Sequence, residues 1–177
     1  MCIRDSLEQD RGLTLQQSSM GFGAIVVLAG LTATLLGGWT GDTLRSRFSG
    51  SYFLVSGAGM IVGAPLMLLM LVTPFPACWI VIFLAVFALF FNTGPSNTIL
   101  ANVTSPYIRA SAFALNIFII HALGDAISPP MIGWIADARG MPMAFVMLAA
   151  VVFLSGVLWL LGTRFLASDT AAAEQGA

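Results

Sequence analysis

The stretch HALGDAISPP, His121–Pro130, holds the chain's single histidine and an aspartate four residues later. At helical spacing both side chains share one face. An imidazole beside a carboxylate can hold a proton, pass it on, or grip a polar head group. Ser128 continues that face. Pro129 and Pro130 lack the N–H that a helix interior needs, so carbonyls about one turn earlier lose their donors and the helix should bend. Counting from Pro106 at about 1.5 Å per residue places His121 near the middle of a membrane span. A charge at that depth costs about 2.5–3.5 kcal/mol even on insertion scales. Asp125 should therefore have a partner, either His121 or an Arg from a segment outside this sequence. The functional reading is proton coupling or substrate holding. The structural one is a satisfied pair that bends its helix.

Three other stretches carry polar groups that a membrane penalises. In FFNTGPSNT, Asn92, Thr93, Ser96 and Asn97 have the spacing of one helix face, and Gly94-Pro95 interrupts regular hydrogen bonding. Breaks of this kind are tolerated at membrane depth where they line protein or a watery cavity. Asn92, Ser96 and Asn97 are therefore candidates for lining a substrate path, with interhelical hydrogen bonding as the alternative. In GGWTGDTLRSR, Gly37–Arg47, a small-residue turn carries Asp42 and then Arg45 and Arg47. Asp42 suits a neighbouring helix N-terminus, where the dipole favours negative charge. In ADARG, Asp137 and Arg139 read as an ordinary turn, with a gate-closing ion pair as the lesser reading.

The elements that must position these residues follow from composition. Hydrophobic residues make up 58% of the chain and charged residues 8%, against roughly 25% charged in soluble domains. Mean hydropathy is +0.94. The chain is read as an all-α, polytopic membrane helix bundle embedded in the lipid bilayer. There is no Lys, and the net charge of −1 gives nucleic acid nothing to bind. Cys78 stands alone once Cys2 is set aside, so it reads as a small apolar filler. One His and no Cys or His pair at ligand spacing leave no catalytic cluster, no metal site and no cofactor to expect, which argues against an enzyme. No repeated pore motif supports a channel.

A membrane helix needs about 20 mostly apolar residues. Five segments qualify: residues 15–39, 52–72, 77–103, 106–136 and 142–166, followed by a polar tail over 167–177. Thr14 and Gln17 have capping-box spacing for the first. Ser105-Pro106 opens the fourth as an N-cap with Pro at the first helical position. Gly23, Gly30 and Gly37 recur every seventh residue, and Gly59 and Gly63 form a G-x-x-x-G, both being packing signals in lipid. Arg45, Arg47, Arg109 and Arg164 fall on one side of the membrane, with Arg11 and Arg139 on the other. The positive-inside rule assigns the four-Arg side, with the C-terminus, to the cytoplasm. Residues 1–6, MCIRDS, match what a transposase sequencing adaptor end would encode and are set apart from 7–166. Five spans starting outside then fit a chain that has lost preceding helices.

Two of these stretches carry a resemblance. Gly38, Gly41, Asp42, Arg45 and Arg47 resemble the loop motif of the major facilitator superfamily, with Thr43 where a basic residue is usual. HALGDAISPPMIGWIAD resembles the eleventh helix of spinster-like transporters through its His-x-x-Gly-Asp-Ala-x-Ser-Pro pattern. GPSNTILANVTSPYIRASAFALNIF resembles the segment before it. The likeness runs from about Leu13 to Leu166. It implies that the five spans are helices eight to twelve of a twelve-helix fold, whose first half would be the partner needed to complete a cavity. It also implies a secondary transporter working by alternating access, exporting lysophospholipids or sphingoid phosphates with a proton or gradient linkage. The Asp42 loop would then act as a latch. The alternatives are a carrier of the same superfamily for another organic solute or drug, and a non-transporting membrane subunit. The expected location is a bacterial inner (plasma) membrane.

Overall fold

A computed structural model describes residues 15–175. Thr14, Arg11 and the MCIRDS segment, on which the capping-box and adaptor readings rest, lie outside them. The described residues form helices and connecting turns, with no strand among them. Five helical stretches are long and apolar enough to cross a membrane.

Helix α1 is Leu15–Arg45. At 31 residues it runs about 46 Å, well beyond a hydrocarbon core of about 30 Å. It does not stop near residue 39 as expected. The Gly37–Arg47 stretch is therefore the last turns of a helix rather than a loop, with the turn confined to residues 46–50. The threonines of α1 turn back onto its own ladder: the hydroxyls of Thr32, Thr40 and Thr43 donate to the carbonyls of Leu28, Leu36 and Trp39 at 2.6, 2.6 and 2.8 Å. Each hydroxyl is thereby satisfied within its own helix.

Helix α2, Ser51–Val72, ends at Thr73, the residue before Pro74, where helical backbone is disfavoured. The third span is two helices, α3 (Cys78–Phe90) and α4 (Thr93–Asn102), separated by Phe91-Asn92. The fourth is also interrupted. Helix α5 (Arg109–Ile119) passes into a π-helical stretch, Ile120–Asp125, and resumes as α6 (Ser128–Arg139). Gly140 closes α6 with φ of 85°, a conformation suited to glycine. Helix α7, Met141–Gly162, is the fifth span. Most of the polar tail expected over 167–177 is helical: helix α8 covers Leu166–Gln175.

Small residues set the packing, since apolar area drives little association between helices already in lipid. Helices α2 and α7 meet where Gly57 faces Gly156: a Cβ on Gly57 would lie 2.9 Å from the Gly156 carbonyl, and one on Gly156 would lie 3.1 Å from the Gly57 carbonyl. Gly59 and Gly63 face the third span, at the Ala88 carbonyl and the Leu89 side chain. Ala29, Met67, Met70, Cys78, Ile82, Ala85, Val86 and Phe145 form the main buried cluster. Cys78 is filler there, at 1% exposure. A smaller cluster of Tyr52, Ile99 and Leu166 holds α8 under the end of the bundle. None of the residues of α5, the π stretch or α6 is buried.

Candidate functional site

The π-helical stretch begins one residue before His121 and ends on Asp125. Its backbone widens for a local reason. In an α-helical ladder Pro129 and Pro130 would leave the Asp125 and Ala126 carbonyls without donors. The chain instead restarts as α6 with Pro129 and Pro130 in its first turn, where no intrahelical N–H is required. The Ala126 N–H donates to the His121 carbonyl at 3.0 Å, the five-residue step of a π-turn. Such turns are rare and are frequent at functional sites.

On that turn His121 Nδ1 and Asp125 Oδ2 are 2.6 Å apart. Of the two partners expected for Asp125, His121 is the one within the described residues, and it is in contact. Both side chains are 67% exposed, so no neighbouring helix among the described residues encloses the pair. A neutral His121 can donate its Nδ1–H or, in the other tautomer, face a protonated carboxyl; an imidazolium makes a charge-assisted bond. The pair therefore has more than one way of holding a proton at one place. Ser128 opens α6 half-buried and is joined to neither residue by a hydrogen bond among those described.

The polar residues of the third span divide into two groups. Asn92 and Ser96 are half-buried, while Thr93 and Asn97 are exposed. The single face expected from their spacing is therefore split at the break, with one pair toward the bundle and one away from it. The break itself sits against α1. The missing donor of Pro95 frees the Phe91 carbonyl. That oxygen occupies the space where a Gly37 side chain would begin. Gly94 is as tight: a Cβ there would lie 2.5 Å from the Thr34 carbonyl and 3.0 Å from the Gly38 nitrogen. Gly38 thus serves as a contact surface for the break. No hydrogen bond or ion pair among the described residues joins Asn92, Ser96 or Asn97 to His121 or Asp125.

At the end of α1 a second polar cluster forms. The Tyr52 hydroxyl donates to Asp42 Oδ1 at 2.8 Å. Arg45 stacks over the same ring, with Cζ 5.3 Å from its centroid, a cation–π geometry. The Ser51 hydroxyl donates to the Gly41 carbonyl at 2.8 Å. Gly41 is needed because a Cβ would meet the Tyr52 ring at 2.6 Å. Asp42 therefore binds a side chain in the first turn of α2 rather than a helix N-terminus; Gly50 occupies that N-cap. Arg47 is exposed in the turn.

Tyr52 and Ser51 were not among the expected site residues. Their signal was faint: a hydroxyl-bearing pair ten residues after Gly41 and Asp42, at the start of the next helix. Asp137 and Arg139 are exposed at the end of α6 with no ion pair among the described residues. No group of three or more His, Cys, Asp or Glu able to hold a metal is found among the described residues.

No family model matches the chain. Curated relatives do. A sphingosine-1-phosphate transporter of Mus musculus is 33% identical over 175 residues, covering 90% of this chain and 32% of the relative. The protein spinster homolog 1 of Xenopus laevis is 34% identical over 150 residues, covering 82% of this chain and 28% of the relative. An Arabidopsis thaliana protein named as a probable sphingolipid transporter, spinster homolog 3, is 27% identical over 154 residues, covering 84% and 29%. The chain spans about a third of the length of these relatives.

Proposed function

Because the chain is spinster-like, we propose that it supplies part of the path of a secondary transporter that moves lysophospholipid-like or other amphipathic small molecules across a membrane. The observation that carries the reading is the His121–Asp125 pair, 2.6 Å apart on a π-turn inside the fourth span. Ionisable side chains within a span are expensive and mark ion or substrate paths. This pair also faces away from its own bundle, toward whatever completes the cavity in a protein as long as its relatives.

The transport step is alternating access, in which two halves rock around a site near mid-membrane. His121 and Asp125 bind and release the coupling proton, or hold the substrate's polar head group when it arrives. Asn92, Ser96, Asn97 and Ser128 line the path. The α1 end, with Asp42, Arg45 and Arg47, latches one face of the carrier, and that face is the cytoplasmic one by its Arg content. The remaining helices of a full-length protein provide the opposite wall. The membrane is a bacterial inner membrane.

The test is counterflow in liposomes containing the full-length protein, with labelled lysophospholipid or sphingoid phosphate inside. Exchange without steady current is expected, stimulated by an imposed pH gradient. His121→Gln and Asp125→Asn should remove the stimulation. A pH response untouched by either change would sink the proton role, and no exchange of either lipid by the unsubstituted protein would sink the substrate class.

A further inference from the structure

Ser56 is an anomaly inside the bundle. It is 0% exposed, yet its hydroxyl has no hydrogen-bond partner. A helical serine commonly donates to the carbonyl one turn back, and this one does not. Asn92 Oδ1 is also buried without a partner. A buried polar atom left dry costs about 1–3 kcal/mol; Thr170 Oγ1 of α8 is a third such atom, and Ser56 and Asn92 are the two that belong to the membrane spans.

The register of α2 against the third span brings them to one level. Tyr52 packs with Ile99 of α4. Gly59 faces the end of α3, with its absent Cβ 2.7 Å from the Ala88 carbonyl and 3.4 Å from Phe91 Cβ. Ser56 lies between Tyr52 and Gly59 on the same face. It therefore stands opposite the α3–α4 break, where Asn92 and the fully buried Pro95 are. The break also holds the Phe91 carbonyl, to which Pro95 cannot donate. The junction thus holds an unpartnered amide oxygen and an unpartnered hydroxyl. Asn92's unpartnered oxygen needs a donor, and the Ser56 hydroxyl needs both a partner and a reach across the helix gap.

We propose that one water molecule is bound at this three-helix junction, accepting a hydrogen bond from the Ser56 hydroxyl and donating one to Asn92 Oδ1. Buried waters commonly make about three bonds to polar groups that would otherwise be dry, and ordered water restores backbone bonding at proline breaks in membrane helices. A cation is the poorer occupant: α2, α3 and α4 contain no carboxylate, so it would meet neutral oxygens only. The water gives the third span a joint that can change angle by exchanging the water's bonds.

The test is infrared spectroscopy of the full-length protein in hydrated nanodiscs, comparing ordinary water with 18O-labelled water. A weakly bonded O–H stretch that shifts with the isotope is expected, and it should be missing from Ser56→Ala and from Asn92→Leu. A band insensitive to 18O, or one unchanged in both variants, overturns the assignment. If neither variant folds, a cryo-EM map of the unsubstituted protein decides. Density within hydrogen-bonding distance of both oxygens supports the water, and Ser56 Oγ bonded directly to Asn92 overturns it. Thermal stabilisation by sodium chloride over choline chloride would replace the water by a cation and also overturn it.

Discussion

The Tyr52 hydroxyl donates to Asp42 Oδ1 at 2.8 Å, tying the last turns of α1 to the first turn of α2. The ring also carries Arg45 on its face, 5.3 Å from Cζ to centroid. One tyrosine thus collects Asp42 and Arg45, and its aromatic body packs with Ile99 and Leu166. Tyr52→Phe keeps the ring and removes only the donor. Because Asp42 is exposed, it can turn to water, and the expected loss is about 1 kcal/mol, read as a small fall in the thermal midpoint in detergent. Tyr52→Ala also removes the buried ring and should cost about 3–5 kcal/mol. Equal midpoints for the two variants would show that the ring is not part of the core.

Gly23 and Gly37 share a seven-residue repeat but not an environment. Nothing lies within 4 Å of a Cβ on Gly23, whereas one on Gly37 would run into the Phe91 carbonyl. Gly23→Ala should therefore be neutral or stabilise α1 by up to about 1 kcal/mol through helix propensity. Gly37→Ala should cost about 1–3 kcal/mol, because two backbones must separate. Thermal unfolding of the two variants side by side decides this, and an equal response would remove the close approach of α1 to the third span.

How much of this was legible follows from which forces are local. Five spans could be read because apolar length is a property of each segment alone. The His121–Asp125 pair could be read because four-residue spacing places two side chains on one helix face. Pro129 and Pro130 announced a disturbance, but not that it would take the form of a π-turn ahead of them. The end of α1 was misplaced because polarity rises at Gly37 while the helix continues; back-bonded threonines hide that continuity from a polarity count. The Asp42–Tyr52 bond and the Ser56 junction depend on register between helices. Spacing within one segment holds no record of register, so neither could be anticipated.

Asp125 taxes the insertion of its own span. The most apolar 18-residue window of Arg109–Arg139 has a mean hydropathy of 1.6, the lowest of the five spans. An ionised carboxyl near its middle opposes partitioning by about 2.5–3.5 kcal/mol when unpaired, and by less when His121 holds it. Asp125→Leu should raise the inserted fraction of this span in a translocon assay. His121→Leu, which leaves Asp125 alone, should lower it relative to a simple gain in hydrophobicity. If His121→Leu inserts as well as Asp125→Leu, the pair does not form during insertion.

Leu166 decides whether the end of the chain is a free polar segment or part of the bundle. The composition beyond it is Ala, Ser, Asp, Thr, Glu, Gln and Gly, which suggests solvent. The Leu166 side chain is nevertheless 0% exposed, in the cluster with Tyr52 and Ile99. Residues Leu166–Gln175 are helical, too short to hold that form alone in water, so packing rather than propensity must keep α8 in place. Leu166→Ala should cost about 2–5 kcal/mol, the usual range for a fully buried leucine, and should expose α8 to limited proteolysis. Ala172→Ser, on the exposed side of the same helix, serves as the control and should stay within about 0.5 kcal/mol of the unsubstituted protein. If Leu166→Ala leaves both the thermal midpoint and the proteolytic pattern unchanged, α8 is not docked, and the Tyr52 ring loses one of its buried neighbours beneath Asp42.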